Sequence, residues 1–354
     1  MLKLNLIGRI GFLKLCLIMA ILGGCASAKL DPAAWRDSRI DLTWPLEPET
    51  PRIRLLRVVN GPEDVLVANK GAVGKFLDLF AGYSMDYIGF YTPHGMAADG
   101  DGLLYIADPS LGLIHKYNLA SHDVTFIVQA GGKPFGSPVG VALDKDKNLY
   151  VTDSQTAGIY KLNQEGALIK ELDGKGMLKR PAGIALTSKG DKVVADIEAN
   201  KIFIFGSDDL LKNELPGPDF PEKLNMPTYV AVDKADNIYV TDTMNFTVRI
   251  FDSNGKYIRS QGQIGDTPGS FARPKGIATD SDRNLYVMDA IFGNFQIFNP
   301  QGRLLLYVSQ EGALPGEFML PTGIFIDRDD RIYVSDSFNH RIQVFQYLKQ
   351  GVQQ

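Results

Sequence analysis

Hydrophobic residues alternate with small and polar residues in a pattern that recurs six times between Pro93 and Phe345. Each repeat starts with a proline and a strand of small apolar residues, passes through a polar turn into a second strand that ends in Asp, and closes with a third apolar strand. Successive first prolines stand 45, 43, 46, 47 and 47 residues apart. A period in the forties made of short strands predicts a propeller blade, because such a unit buries its apolar face only by stacking on neighbours. We therefore predict an all-β fold, a six-bladed β-propeller.

The strand count predicts how the ring closes. Each blade needs a fourth, outer strand, and the last repeat has none because the chain ends nine residues after Phe345. We expect an N-terminal strand at 52–59 to complete the last blade, which leaves no open edge in the ring. The propeller domain then spans 52–348, with a tail at 349–354. Outer strands of other blades are predicted at 124–128, 167–172, 256–260 and 303–308.

Two stretches interrupt the regular pattern. Residues 61–92 form an insert between the closing strand and the first repeat, and 75–80 within it is predicted to form one or two helical turns. Residues 207–226 contain three prolines, so the pattern leaves the outer strand of the third blade unplaced.

The first 24 residues differ from the rest of the chain. Three basic residues accompany an apolar run at 15–22 that is too short to cross a bilayer, which is typical of a secretory signal. The following Leu22-Gly23-Gly24-Cys25 resembles the bacterial lipobox. This resemblance implies that 1–24 is a lipoprotein signal peptide and that Cys25 is the lipid attachment site. The alternative is ordinary cleavage near 26–28 with loss of Cys25.

The lipobox resemblance also predicts a location in the cell envelope. Because Ala26 rather than Asp follows Cys25, it favours the outer membrane, with the propeller on the periplasmic or the cell-surface side. Residues 25–51 contain four prolines and little periodicity, so we expect an extended tether between the anchor and the domain.

Charge narrows the range of partners. The chain has 37 Lys and Arg against 41 Asp and Glu, and loss of 1–24 would remove three basic residues and leave a net charge of −7. An acidic body argues against nucleic acid and against anionic lipid, so membrane contact is expected through the lipid anchor alone. The two cysteines, Cys16 and Cys25, predict no disulfide in the mature domain. We expect a monomeric propeller.

The repeat reads P-x-G-[IV]-A-x-D-x-x-x-N-[LI]-Y-V-x-D and is followed in its best copies by Asn, an Arg-Ile or Gln-Ile pair and Phe, which resembles the NHL repeat. The resemblance covers roughly 52–347 and, with the lipobox, implies a bacterial NHL-repeat lipoprotein with a six-bladed β-propeller domain. Two residues depart from the pattern. Thr187 replaces the first Asp of the third repeat, and Tyr229 replaces the Gly of the fourth, where we expect it to shape the channel mouth.

An Asp ends the second strand of every repeat. Because the position recurs once per blade, we interpret it as a structural turn residue that accepts backbone N–H bonds. Segments 144–148 and 280–284 imitate the start of a calcium loop but lack its later Gly and Glu, so we predict hairpin turns and no metal site. The six structural Asp residues are Asp108, Asp153, Asp196, Asp242, Asp289 and Asp336.

The x position of P-x-G is the first candidate for catalytic or metal-binding residues. The proteins that the NHL repeat resembles include an amidating lyase. Its zinc is held by His residues, and some of them stand at this channel-facing position. Here His94 alone is a histidine at that position, whereas a catalytic zinc usually needs three protein ligands. No nucleotide-binding loop, nucleophile elbow or Cys-x-x-Cys occurs, and no cofactor is predicted. The polar residues expected at the channel are His94, Thr228, Tyr229, Lys275 and Thr322. The other histidines, expected at blade edges or in turns, are His115, His122 and His340.

The leading functional hypothesis is an envelope-anchored, non-catalytic binding or scaffold propeller that presents a loop face to an envelope protein or complex. One alternative is a hydrolase or lyase that uses His94 as acid or base. Another is a module that binds a glycan or other small ligand at the channel mouth. Aromatic residues are enriched at interfaces, although packing between blades would explain them equally well. The candidate partner contacts are Tyr83, Tyr87, Phe90, Phe292 and Phe338.

Overall fold

The computed structural model describes residues 36–46, 48–66 and 88–349. It confirms the all-β, six-bladed propeller. Apart from 3-10 turns at Pro62–Asp64 and Thr243–Asn245, the regular elements of these residues are strands. In chain order they are β1 (Thr43–Trp44), β2 (Ile53–Val59), β3 (Met96–Ala98), β4 (Leu103–Asp108), β5 (Leu113–Asn118), β6 (Asp123–Ile127), β7 (Gln129–Ala130), β8 (Lys133–Pro134), β9 (Pro138–Leu143), β10 (Leu149–Asp153), β11 (Gly158–Leu162), β12 (Leu168–Glu171), β13 (Pro181–Leu186), β14 (Lys192–Asp196), β15 (Lys201–Phe205), β16 (Leu211–Leu215), β17 (Pro227–Val232), β18 (Ile238–Asp242), β19 (Thr247–Phe251), β20 (Tyr257–Gln261), β21 (Pro274–Thr279), β22 (Leu285–Asp289), β23 (Asn294–Phe298), β24 (Leu304–Val308), β25 (Ile324–Ile326), β26 (Arg331–Asp336) and β27 (Arg341–Tyr347).

Each blade is an antiparallel sheet whose first strand lies at the centre of the ring. Blades 1 to 5 are β3–β6, β9–β12, β13–β16, β17–β20 and β21–β24, and a small β7–β8 hairpin lies between blades 1 and 2. The outer strands β6, β12, β20 and β24 agree with the predicted ones to within a residue or two. In blade 3 the outer strand is β16, inside the stretch that the sequence pattern left unplaced.

Strand direction gives the ring two different ends. In blade 2, Pro138 at the start of β9 pairs with Asp153 at the end of β10, and the same pairing recurs in blades 3, 4 and 5. We call this end the proline face. It carries the turns between second and third strands and the connections from each outer strand to the next blade. The opposite end, the hairpin face, carries the turns between first and second and between third and fourth strands.

Blade 6 joins both parts of the chain. Its sheet has the order β1-β2-β27-β26-β25, and Val59 of β2 lies opposite Ile342 of β27, which confirms the predicted closure. β1 adds a fifth strand, and the Trp44 ring lies 5.7 Å from that of Phe345. Residues 36–46 therefore pack on the propeller instead of forming part of an extended tether, because Trp44 and its neighbours cover apolar surface of blade 6.

The core lies between blades. Six apolar clusters are present in the described residues, and each combines side chains from two adjacent blades. The cluster between blades 1 and 2, for example, contains the buried Tyr105, Ile114, Val151 and Leu162. Burial of a large apolar side chain contributes roughly 1.5–3 kcal/mol. Each blade therefore depends on its neighbours for most of its stability.

The Asp at the end of each second strand fastens one blade to the chain that enters it. Asp153 accepts hydrogen bonds from the backbone N–H groups of Gly136 (2.7 Å), Ser137 (2.9 Å), Gln155 (3.0 Å) and Thr156 (3.1 Å). All six of these Asp residues are fully buried. Their carboxylates are thus occupied in the scaffold.

Two further predictions concern polar residues. Asp144 accepts hydrogen bonds from the backbone N–H groups of Asp146 and Asn148, so 144–148 is a closed hairpin turn, and Asp280 does the same in 280–284. The prediction for His115 was wrong: it is fully buried in β5 with its Nε2 3.5 Å from an Asp108 oxygen.

Candidate functional site

The first strands of all six blades enclose a cavity of about 260 Å³ on the propeller axis. Its walls are backbone and mainly apolar side chains, which include the larger Met96, Tyr229 and Phe325, and in the part of the chain that the structure describes no Asp, Glu, Lys, Arg or His lines it. Five of the six first strands have an alanine in the middle, which lets them approach one another closely, and the first strand of blade 6 has Phe325 there. Those alanines are Ala97, Ala142, Ala185, Ala231 and Ala278.

Glycines make the blades meet closely at the proline-face end of this cavity. A Cβ on Gly95 would lie 2.5 Å from the carbonyl oxygen of Val139 in the next blade, and one on Gly183 would lie 2.6 Å from the Cα of Tyr229. Real Cβ contacts are not that short, so a side chain would push the blades apart. Blade 4 differs, because Tyr229 stands where the other blades have this glycine.

Tyr229 closes the channel at the proline face. Burial raises the pKa of its hydroxyl, and the nearby Thr322 hydroxyl acts in the opposite direction. Thr322 belongs to the chain entering blade 6, two blades away, so the Tyr229 side chain reaches across the axis. Its hydroxyl oxygen is buried, yet it lies outside hydrogen-bonding geometry with every described atom.

Lys275 lies at the same level on blade 5. It is largely buried, and burial lowers the pKa of its ammonium to about 8, with further lowering by the charges of Arg273 and Arg180. Neither the lysine nor the two exposed arginines form a side-chain hydrogen bond or ion pair with any described residue. The mouth of the channel is therefore cationic, and no described carboxylate pairs with these three groups.

His94 contributes no charge to the mouth at neutral pH. Burial lowers the pKa of its imidazole, a shift that the hydrogen bond to Thr92 opposes and the charge of Lys275 supports. The His94 Nδ1 lies 2.9 Å from the Thr92 carbonyl oxygen, which requires the proton on Nδ1. This arrangement fixes the ring and leaves Nε2 as an acceptor.

The two threonines of the predicted channel set have partners in the scaffold. Thr228 is buried, and its Oγ1 lies 2.6 Å from that of Thr243, so the prediction that it lines the channel was wrong. Thr322 donates a hydrogen bond to the Pro93 carbonyl (3.0 Å) and pairs with the Ser337 hydroxyl (2.6 Å). The structure thus brings His94, Tyr229, Lys275 and Thr322 together and leaves Thr228 aside.

Exposed apolar side chains concentrate on the proline face. Of the eighteen large hydrophobic residues that are exposed in the described chain, twelve lie in its turns and connections, against Leu210 alone in the turns of the hairpin face. The others lie on outer strands or, for Leu46, near the N-terminus. The twelve are Ile88, Tyr91, Leu111, Val128, Met177, Met226, Met244, Ile264, Ile291, Leu314, Leu320 and Phe338.

Backbone hydrogen bonds join the turn between the second and third strands of a blade to the segment that enters the same blade. The Phe338 N–H donates to the Met319 carbonyl (3.2 Å), which places Phe338 beside Leu320, and the Met244 N–H donates to the Asn225 carbonyl (3.1 Å), beside Met226. The apolar residues therefore form groups on the face.

The predicted partner contacts have different positions. Phe338 is 59% exposed on the proline face, and Phe292 is partly buried in the corresponding turn of blade 5. Phe90 was wrongly predicted to be exposed: it is 7% exposed, and its ring stacks on Tyr117 at 5.5 Å. Tyr83 and Tyr87 lie outside the described residues, as do the anchor candidate Cys25 and the predicted helical turns at 75–80.

Sequence reasoning missed the methionines and isoleucines of the face and the two arginines at the mouth. Met226 and Arg273 directly precede the first proline of a blade. Met244 and Ile291 each stand two residues after a structural Asp. Those flanking positions of the repeat were the available signal.

Comparison with known proteins agrees with this architecture. A family model described as a 6-bladed beta-propeller (DUF5128) matches residues 227–294 and 279–350. A search of curated proteins gives no match. The described residues contain no helix with the length and hydropathy of a membrane span. Among 36–46, 48–66 and 88–349, no three His, Cys, Asp or Glu side chains gather in a group able to hold a metal ion.

Solved structures are similar in fold at low sequence identity. A protein of unknown function from Bacteroides thetaiotaomicron shares 16% identity over 83% of this chain and 75% of its own, with a TM-score of 0.62. An auxiliary nutrient binding protein from the same organism shares 14% over 75% of this chain and 71% of its own, with a TM-score of 0.59. Virginiamycin B lyase from Staphylococcus aureus shares 16% over 74% of this chain and 98% of its own, with a TM-score of 0.55. The fold of this chain is accordingly that of a six-bladed β-propeller.

Proposed function

We propose that this protein is a non-catalytic binding propeller of the cell envelope that presents its proline face to a protein partner. The observation that carries the proposal is the unequal distribution of exposed apolar side chains, twelve on the proline face against one in the turns of the hairpin face. Exposed apolar groups on one face of a folded protein mark an interaction site more often than chance.

The chemistry of the face suits a protein partner. It offers an aromatic ring at Tyr91, another at Phe338 and the flexible methionines Met226 and Met244. Aromatic residues and Met are enriched in the buried centre of protein interfaces, and Met adapts its shape to the opposing surface. The hairpin face, by contrast, has turns such as 144–148 and 280–284 that are rich in charged residues.

The lipid anchor at Cys25 and the outer-membrane location belong to the same proposal. Their support is the signal and lipobox pattern of residues 1–25. In the proposed arrangement the anchor concentrates the propeller at the membrane, so a partner in the same envelope meets it at high local concentration.

Site-specific photo-cross-linking in the native envelope tests this proposal. A photoreactive residue replaces Phe338 or Met244 on the proline face and, as matched controls, Leu210 on the hairpin face or Ile258 on an outer strand. We expect one envelope protein to be cross-linked in a fixed ratio from the first two positions and not from the controls. Equal labelling from all four positions, or cross-links solely to a second copy of the propeller, would contradict it.

A further inference from the structure

We propose that the proline-face mouth of the channel is a binding site for a carboxylate, held between Lys275 and Tyr229 and flanked by Arg180 and Arg273. The inference concerns the axis of the ring and does not depend on the proposed protein partner. The carboxylate would belong either to a small organic acid or to a segment of a larger molecule.

The first observation is that the junction between blades 4 and 5 departs from the others. Tyr229 stands on β17 where the other blades have glycine, and Lys275 follows the first residue of the adjacent β21. The Thr241 hydroxyl donates to the Lys275 carbonyl (2.7 Å), which fixes the lysine backbone. Two polar side chains thus enter the channel mouth from neighbouring strands on a rigid base.

The second observation is that, among the described residues, Lys275 has no counterion and the Tyr229 hydroxyl has no hydrogen-bond partner, whereas the fully buried cations are paired. Each fully buried Lys or Arg in the described residues contacts a carboxylate: Lys192 with Asp209, Arg249 with Asp242, Arg331 with Asp327 and Arg341 with Asp336. A buried cation without a counterion is unfavourable. Lys275 is partly buried and has no counterion among the described residues, so a bound anion would supply one.

The electrostatics of the mouth favour an anion. The charged groups that act on Lys275 are Arg273 of its own blade and Arg180 at the entry to blade 3. Opposite them, His94 is neutral at pH 7 because burial lowers its pKa, and the Asp108 carboxylate behind it is occupied by the N–H groups of Tyr91 and Thr92. Among the described residues, no carboxylate forms an ion pair with Lys275.

The donors at the mouth suit a carboxylate. Backbone N–H groups at this level are already used: Gly95 donates to Val139, Gly276 to Thr322 and Gly140 to the Thr152 hydroxyl. The Lys275 ammonium and the Tyr229 hydroxyl remain, and each can donate a hydrogen bond to one oxygen of a carboxylate.

The test follows the titration of Lys275 by NMR in the full chain, with lysines labelled by reductive ¹³C-methylation and the Lys275 signal assigned from Lys275→Met. Sodium acetate is compared with sodium phosphate and sodium chloride at equal ionic strength. Acetate is expected to raise the pKa of Lys275 by about one unit, since a bound anion stabilises the ammonium. Lys234, an exposed lysine of the hairpin face, is the control signal and is expected not to shift.

Two results would overturn the proposal. An effect of acetate no larger than that of chloride would show that no anion binds, and a stronger effect of phosphate would show that the site does not select a carboxylate. Tyr229→Phe is expected to weaken acetate binding about fivefold, because it removes one hydrogen bond and keeps the ring that closes the channel. A negative result in the acetate titration would not affect the cross-linking result for the proline face. The two proposals can therefore be tested separately.

Discussion

At the residue scale, Lys275 couples stability to pH. Its pKa in the folded protein is about 8, below the ordinary value of 10.5, because burial and two arginines disfavour the ammonium. The unfolded chain therefore binds more protons between these two values, and stability falls as the pH drops from 10.5 to 8. Below pH 8 the full penalty is present.

The first prediction follows from the direction of this pH dependence. Lys275→Met keeps the length of the side chain and removes the charge, so it is expected to raise the free energy of unfolding at pH 7 by up to about 3 kcal/mol. The gain should shrink through pH 8 to 10.5. Urea unfolding at pH 7 and pH 10.5 measures it, with Lys234→Met as a control that changes neither value. A loss of stability at pH 7 would show that Lys275 already has a counterion.

The glycine junctions give a second prediction at the same scale. Gly183→Ala places a methyl group against the backbone of Tyr229 and is expected to lower stability by roughly 1–3 kcal/mol, because backbone cannot move as a flexible side chain can. Gly217→Ala is the matched control, since nothing lies within 4 Å of its added Cβ. Thermal unfolding of the two variants tests this prediction. Equal midpoints would mean that adjacent blades can separate to make room for the added methyl group.

At the scale of elements, β2 carries the closure of the ring. It pairs along its length with β27, and its Leu55 is fully buried in the core of blade 6. β1 adds two residues to the outside of the same sheet. The two N-terminal strands therefore differ greatly in the surface that they bury.

Deletion of 52–59 is expected to lower the thermal midpoint by more than about 10 °C, because it opens an edge and uncovers two apolar clusters. Deletion of 36–46 removes β1 alone and should cost only a few degrees. Calorimetry of both truncated chains tests the assignment. A midpoint unchanged by the first deletion would mean that blade 6 is stable with three strands.

The sequence predicts elements better than it predicts the positions of individual side chains. The repeat gives the strands, their order and the closure, because period and alternation are properties of every blade. It misplaces His115, whose equivalents Arg249 and Gln343 also contact a structural Asp. It also misplaces Phe90 and Thr228, because whether a residue near a strand end is covered depends on the neighbouring blade, and no single repeat encodes that.

At the scale of the whole molecule, the two ends of the ring differ in chemistry. One end presents twelve exposed apolar side chains, and the other presents charged hairpins with Leu210. The channel is closed by Tyr229 at the apolar end. A binding partner that approaches along the axis therefore meets very different surfaces from the two sides.

This difference predicts how the protein behaves on an apolar resin. A triple variant with Met226, Met244 and Phe338 changed to Ser is expected to elute clearly earlier in hydrophobic interaction chromatography. The control changes Ile169, Ile258 and Tyr307 on outer strands to Ser, and we expect less than half the shift, because these residues are dispersed. Both variants should keep their stability within about 0.5 kcal/mol per substitution. Equal shifts would argue against a localised apolar face.

The pairing of β2 with β27 also constrains how the protein is made. The two strands are separated by nearly the whole propeller, and Val59 meets its partner Ile342 after all six repeats have been synthesised. Because synthesis starts at the N-terminus, β2 remains an unpaired strand until the residues of β27 have been made. A truncated product would keep this edge of blade 6 unpaired, and we expect proteases to cleave it more readily than the complete protein.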